Sequence, residues 1–199
     1  MRVLVTREEL VARVESLGHV AVFCDLIRVE PLGEEPVDAS AYDWLVVTSR
    51  NGAHELGRRG VIANRIAAVG PATAEALRSH GLRVELVAAT HTQEGLRDEL
   101  PEGTRLLAAA EGARRDVLEA DFLPLYRTVE LRPDLPDADV ALLMSGSAAR
   151  ALAATGARMP VVAIGPQTAA EARAAGLDVA AVAATHDLDG LVEALRSRS

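Results

Sequence analysis

Short apolar runs of four to six residues recur along the chain, separated by stretches in which apolar positions return every third or fourth residue. That alternation is the rhythm of buried strands joined by amphipathic crossover helices over parallel sheets, and it gives an α/β fold. Strands are predicted at 2–6, 20–23, 44–48, 66–69, 83–87, 105–109, 140–144, 161–164 and 179–182, with helices filling most of the gaps. Leu10, Val11, Val14 and Leu17 line one face of a predicted helix from Arg7 to Leu17, which Gly18 ends as a left-handed C-cap. Gly81 and Gly176 close two further helices in the same way.

The pattern also returns at long range. IAAVGPATAEALRSHGLRVELVAATHTQEGLRDEL reappears as VVAIGPQTAAEARAAGLDVAAVAATHDLDGLVEAL, with Gly70 matching Gly165, Thr73 matching Thr168 and His91 matching His186 at a constant offset of 95 residues. WLVVTSRNGA and ALLMSGSAA open the two copies. Solenoid units run roughly 20 to 50 residues, so a period this long makes each copy a whole strand-and-helix lobe. Two similar lobes are expected to leave a cleft between them. The strand–helix–strand unit at residues 1–24 has no counterpart directly before copy two, so it must pack elsewhere. LIRVEPL at 26–32 and LYRTVELR at 125–132 flank copy one and alternate apolar with polar positions, as exposed paired strands do. The expected organisation is lobe one from 1–25 plus 134–199, lobe two from 34–124, and a two-stranded connector from 26–33 and 125–133.

Composition narrows the function. The chain has 199 residues, 49% hydrophobic and 25% charged, values typical of a globular protein. No apolar run nears the ~18 residues that span a bilayer, and MRVLVTREEL lacks the apolar core of a signal peptide, so no membrane partner and a cytoplasmic location are expected. All 21 basic residues are arginine, which removes lysine Schiff-base chemistry and the lysine of a phosphate-binding P-loop. The single cysteine, Cys24, lies in an apolar stretch and reads as a buried thiol. The five histidines are never paired at metal-ligand spacing, so no metal site is expected. A net charge of −8 argues against nucleic acid. Two Phe, two Tyr and one Trp, with no phosphate loop, argue against a flavin or nucleotide protein.

Chemistry in open α/β sheets lies beyond the carboxyl ends of the strands. Four turns stand there: TSRNG at 48–52, VGPAT at 69–73, SGS at 145–147 and IGPQT at 164–168. Each sets small residues and hydroxyls beside free helical N–H groups, an arrangement that grips carboxylates or phosphates without a formal positive charge. The other reading of Ser49, Thr73, Ser145 and Thr168 is that they are helix caps, with the prolines at N1.

Taken in order, VLVTRE, DWLVVTSRNGA, AVGPATAEALRSHGL, LYRTVEL and VAIGPQTAAEARAAGL resemble the uroporphyrinogen-III synthase family over nearly the whole chain. The resemblance implies two flavodoxin-like α/β lobes joined by a two-stranded connector, and a cofactor-free lyase of tetrapyrrole biosynthesis. Its substrate would be hydroxymethylbilane, a linear tetrapyrrole whose terminal hydroxyl is expelled and whose last ring is inverted through a spiro intermediate before closure. Such chemistry needs little beyond a held conformation, in keeping with the lack of a catalytic constellation. Tyr126 corresponds to the family's cleft tyrosine; with a reference pKa of about 10 its phenol keeps its proton and can donate to the departing hydroxyl. Ser49, Asn51, Thr73, Ser145, Ser147 and Thr168 are implied carboxylate grips, with Arg7 and Arg50 as guanidinium partners. Arg58 with Arg59, and Arg114 with Arg115, read either as solvated surface pairs or as further sources of positive field for an octa-anionic substrate. The implied partners are this small molecule and, transiently, the preceding pathway enzyme; a monomer is expected. The stretch EGARRDVLEADFLPLYRT is abbreviated relative to the family, which implies a missing helix or strand in lobe two. The alternative function is a non-catalytic two-lobe module that binds a carboxylated ligand.

Overall fold

The computed structural model describes residues 1–197. Along the chain the strands are β1 (Arg2–Val5), β2 (Val20–Phe23), β3 (Ile27–Pro31), β4 (Val37–Ala39), β5 (Trp44–Val47), β6 (Val61–Ala63), β7 (Ile66–Ala68), β8 (Leu86–Val87), β9 (Arg105–Ala110), β10 (Asp121–Glu130), β11 (Val140–Leu143), β12 (Val161–Ala163) and β13 (Val179–Val182). The helices are α1 (Val11–Glu15), α2 (Arg50–Arg59), α3 (Pro71–Ser79), α4 (Gln93–Glu99), α5 (Gly146–Ala154), α6 (Pro166–Ala174) and α7 (Leu188–Arg196). Two compact units result: unit one is Met1–Arg28 with the chain from Val129 onward, and unit two is Val29–Thr128.

Unit one carries an all-parallel sheet in the order β13-β12-β11-β1-β2. Numbered along the unit, this is the flavodoxin-like order 2-1-3-4-5. Its strands are apolar on both faces, as a sheet covered on both sides requires. Leu4, Ala141 and Leu143 pack under α5 and α6, while Val3, Val5 and Leu142 pack under Leu10, Val14, Leu191 and Leu195.

In unit two the order is β8-β7-β5-β9-β10, with β3 added outside β10. The two sheets match strand for strand when β9 and β10 are paired with β1 and β2. The amino-terminal strand–helix–strand therefore has its counterpart after copy one instead of before it: the units are circular permutations of one another. They differ in one crossover. A short 3₁₀ turn at Glu8–Leu10 and α1 link β1 to β2, whereas residues 111–120 link β9 to β10 without a helix. Leu118 of that link, 3% exposed, packs with Trp44, Val46, Leu96 and Leu107, as Leu10 and Val14 pack in unit one.

β3 and β10 pair: the Leu32 N–H donates to the Leu125 carbonyl and the Leu131 N–H to that of Leu26, so β3 runs antiparallel to β10. β10 starts at Asp121, ahead of the alternating LYRTVELR segment, and its first half also pairs with β9. The predicted helix over 7–17 is a 3₁₀ turn followed by the short α1, and the strand over 83–87 shortens to Leu86–Val87. Gly18, Gly81 and Gly176 hold φ of 78°, 77° and 85°, the left-handed conformation read for them. Among the described residues no helix is long and apolar enough to cross a membrane.

Candidate active site

In unit two the carboxyl end of β5 runs through Thr48 and Ser49 into α2. Ser49 is extended and its Oγ accepts the Gly52 N–H at 3.0 Å, a helix N-cap. The same Oγ lies 2.9 Å from the Tyr126 hydroxyl. How a strand residue reaches α2 follows from β10. Pro124 opposes Ala109 and Tyr126 opposes Ala110, so the register slips between them. Strict alternation would send Leu125 and Tyr126 to opposite faces; with the slip both enter the cluster under α2 and α3. Proline, which cannot donate to a ladder, is suited to such an irregularity. Tyr126 is 5% exposed. Burial pushes its phenol above the ordinary value, and the neighbouring Ser49 and Asn51 side chains offset part of that rise. The group is thus a neutral donor near pH 7.

Unit one repeats the turn with a different partner. Ser145 caps α5 by accepting the Ala148 N–H at 3.2 Å, and its Oγ lies 3.0 Å from that of Ser147. No phenol joins this serine pair among the described residues.

The two Gly-Pro turns behave unlike the serine turns. α3 and α6 begin at Gly70 and Gly165 with proline next and no side-chain cap. Thr73 and Thr168 are therefore not caps, as one reading had them; they sit inside the first turn, 4% and 6% exposed. Neither hydroxyl has a protein hydrogen-bond partner among the described residues.

The arginines divide in two. Arg58 is taken up by Glu34 and Glu55, and Arg59 by the backbone carbonyls of Glu35 and Leu32. Arg114 pairs with Glu94, and Arg115 stacks 3.9 Å over the Phe122 ring. These pairs are spent on local partners, which favours the surface reading over a supply of field to the ligand. Arg7, half-buried after β1, and Arg50, exposed at the first position of α2, have no ion pair among the described residues. A cation at a helix N-terminus adds to the positive end of the dipole, which disfavours the bare helix and favours an incoming anion. In unit one Arg7 and Ser145 follow β1 and β11, the strands at which the 2-1-3-4-5 order reverses. In unit two Ser49 follows β5, which adjoins β9 at the corresponding place.

The model of the family described as uroporphyrinogen-III synthase HemD matches residues 8–193. The chain belongs to this family. A protein of Archaeoglobus fulgidus provisionally assigned as a uroporphyrinogen-III synthase is 28% identical over 231 aligned residues, covering 100% of this chain and 99% of that one. A mutant, selenomethionine-substituted uroporphyrinogen III synthase from the extremely thermophilic bacterium Thermus thermophilus superposes with a TM-score of 0.66 at 17% identity, covering 99% of this chain and 98% of that one. The latter likeness is one of fold. The chain is a uroporphyrinogen-III synthase, a lyase of porphyrin and haem biosynthesis acting on a small-molecule tetrapyrrole.

Two residues gain a place that sequence reading does not give them. His91 and His186 are matched positions of the repeat, yet by spacing they count only as scattered histidines. Both stand at the turns that precede α4 and α7, with their rings against Gly70 and Gly165. Their signal is the constant offset itself.

Proposed function

We propose that this synthase closes hydroxymethylbilane with inversion of the last ring, using Tyr126 as the proton donor to the departing hydroxyl. The observation that carries the reading is the buried phenol held 2.9 Å from Ser49 Oγ where β5 gives way to α2. The C–O bond of the terminal hydroxymethyl group breaks, the electron-rich pyrrole stabilises the cation left behind, and the hydroxyl departs as water. Tyr126 hydrogen-bonds the leaving oxygen, and its proton is restored when the macrocycle loses one on closure. Thr73 and Thr168, with the open N–H groups of α3 and α6, hold acetate and propionate side chains. Ser49, Asn51, Ser145 and Ser147 shape the neighbouring turns, and Arg7 and Arg50 supply charge that no carboxylate among the described residues has taken. The same reading has the protein act as a cytoplasmic monomer that receives its unstable substrate from the preceding enzyme in a transient contact.

Steady-state kinetics of three variants test these roles. Tyr126→Phe is expected to slow formation of the inverted product on the order of 10²-fold, the lower range for a lost general acid. Thr73→Ala and Thr168→Ala are expected chiefly to raise KM, by about fivefold each, for the loss of one hydrogen bond. Unchanged kinetics in all three would remove the assignment of these residues.

A further inference from the structure

Of the six longest helices, four begin with a side-chain cap, from Ser49, Thr92, Ser145 and Asp187. The two that do not are α3 and α6, at equivalent places in the two units. Since proline at N1 has no N–H, the open donors are the backbone N–H groups of Ala72 and Thr73, and of Gln167 and Thr168. Thr73 and Thr168 are more than nine-tenths buried, with hydroxyls that lack a protein partner among the described residues. Helical Cα–Cβ bonds tilt toward the N-terminus, so these side chains lean toward the same open end.

A histidine stands at each of these ends. A Cβ built on Gly70 would lie 3.2 Å from His91 Cγ, and one built on Gly165 would lie 3.1 Å from His186 Cδ2. The Cδ2 side of the ring therefore packs on the glycine in both units, and neither imidazole has a hydrogen bond or ion pair among the described residues. The turns that carry the rings are fixed from behind. A Cβ on Gly95 would come 2.1 Å from the Thr90 carbonyl oxygen, and one on Gly190 would come 2.3 Å from that of Thr185. Each turn thus lies directly on its own helix, α4 or α7, whose capping residue follows the histidine. Two units that differ in a crossover helix, in strand connection and in the presence of a phenol have kept this arrangement.

We propose that His91 and His186 each donate a ring N–H to a substrate carboxylate seated on the adjacent helix N-terminus, completing a grip of backbone N–H, threonine hydroxyl and imidazole in each unit. This rests on the carboxylate-holding role given above to those turns. The histidines are positioning residues: they bind the substrate and take no part in bond breaking.

The test is the steady-state kinetics of His91→Gln, His91→Phe, His186→Gln and His186→Phe with freshly generated hydroxymethylbilane. Gln keeps an N–H donor without the ring, and Phe keeps a ring without the donor. The phenylalanine variants are expected to raise KM about fivefold each with kcat within twofold of the parent, and the glutamine variants to recover most of that loss. Wild-type KM in the phenylalanine variants would overturn the proposal, as would glutamine variants impaired together with a lowered melting temperature, the mark of mere packing. Thr73→Ala and Thr168→Ala in the same assay separate the two levels. If they raise KM while the histidine variants do not, the histidine proposal alone falls; if none of the six moves KM, the carboxylate role of the turns falls with it.

Discussion

Tyr126 owes its contact with Ser49 to a one-residue slip in a strand. Had β10 kept its register past Pro124, the phenol would face away from α2 and Ser49 would retain only its own helix N–H as partner. Burial raises the phenol's pKa, so the folded protein holds that proton more tightly than the unfolded chain does. Stability on this account is full below about pH 10, the unfolded value, and is lost as pH rises from there through the higher folded value. Tyr42, which donates to Asp121 at 2.7 Å and is also shifted upward, contributes in the same direction. Denaturant unfolding followed from pH 8 upward is therefore expected to show a shallower alkaline loss in Tyr126→Phe than in the parent; an identical slope would contradict the buried, hydrogen-bonded phenol. The candidacy of Tyr126 comes from the family resemblance carried by the order of the motifs. Its route to Ser49 is not, because nothing in LPLYR separates a straight strand from a slipped one except the proline.

Elements are read best where burial alone decides them. All nine predicted strands are present, each an apolar run covered on one or both faces by helices, and their length makes little difference to that requirement. The three-residue β4 and β6 escape notice because VDA and VIA pair only with each other and carry no run long enough to stand out. Helix starts show the other limit. Ser49 and Ser145 are the caps that one reading of their turns gives, yet Thr73 and Thr168, in turns of similar composition, are not. The proline between glycine and the first turn shifts the cap back to a residue with no side chain. Glycine inside α4 and α7 has its own cause, the carbonyl of the preceding turn. Gly95→Ala and Gly190→Ala are each expected to destabilise the protein by about 1–3 kcal/mol through overpacking against backbone that cannot move aside. Gly112, with nothing within 4 Å of a built Cβ, serves as the contrast, and Gly112→Ala is expected to stay within about 0.5 kcal/mol of the parent. Equal melting temperatures for all three would show that the turns are not seated as described.

The repeat makes the two-unit organisation visible, but not the permutation that relates the units. Residues 1–24 look like an addition with no equivalent, because sequence similarity does not extend to β9 and β10; only the strand order shows that they fill the places of β1 and β2. The abbreviated segment is the link between β9 and β10, which holds no crossover helix in unit two. Its place on the sheet is covered by the loop's apolar side chains, so Leu118→Ala is expected to cost about 2–5 kcal/mol, the penalty of a core cavity. A change under about 0.5 kcal/mol in chemical denaturation would mean that the loop is not part of the core. On the proposed reading the net charge of −8 is offset locally for an anionic substrate: Arg58 and Arg114 are paired with carboxylates, while Arg7 and Arg50 have no ion pair among the described residues. The most direct measurement supplies freshly generated hydroxymethylbilane to the purified protein, oxidises the products and separates type I from type III uroporphyrin by chromatography. Type III well above a protein-free control is the expected result. Type I alone, from protein that is folded by circular dichroism, would contradict the assignment of synthase activity to this chain.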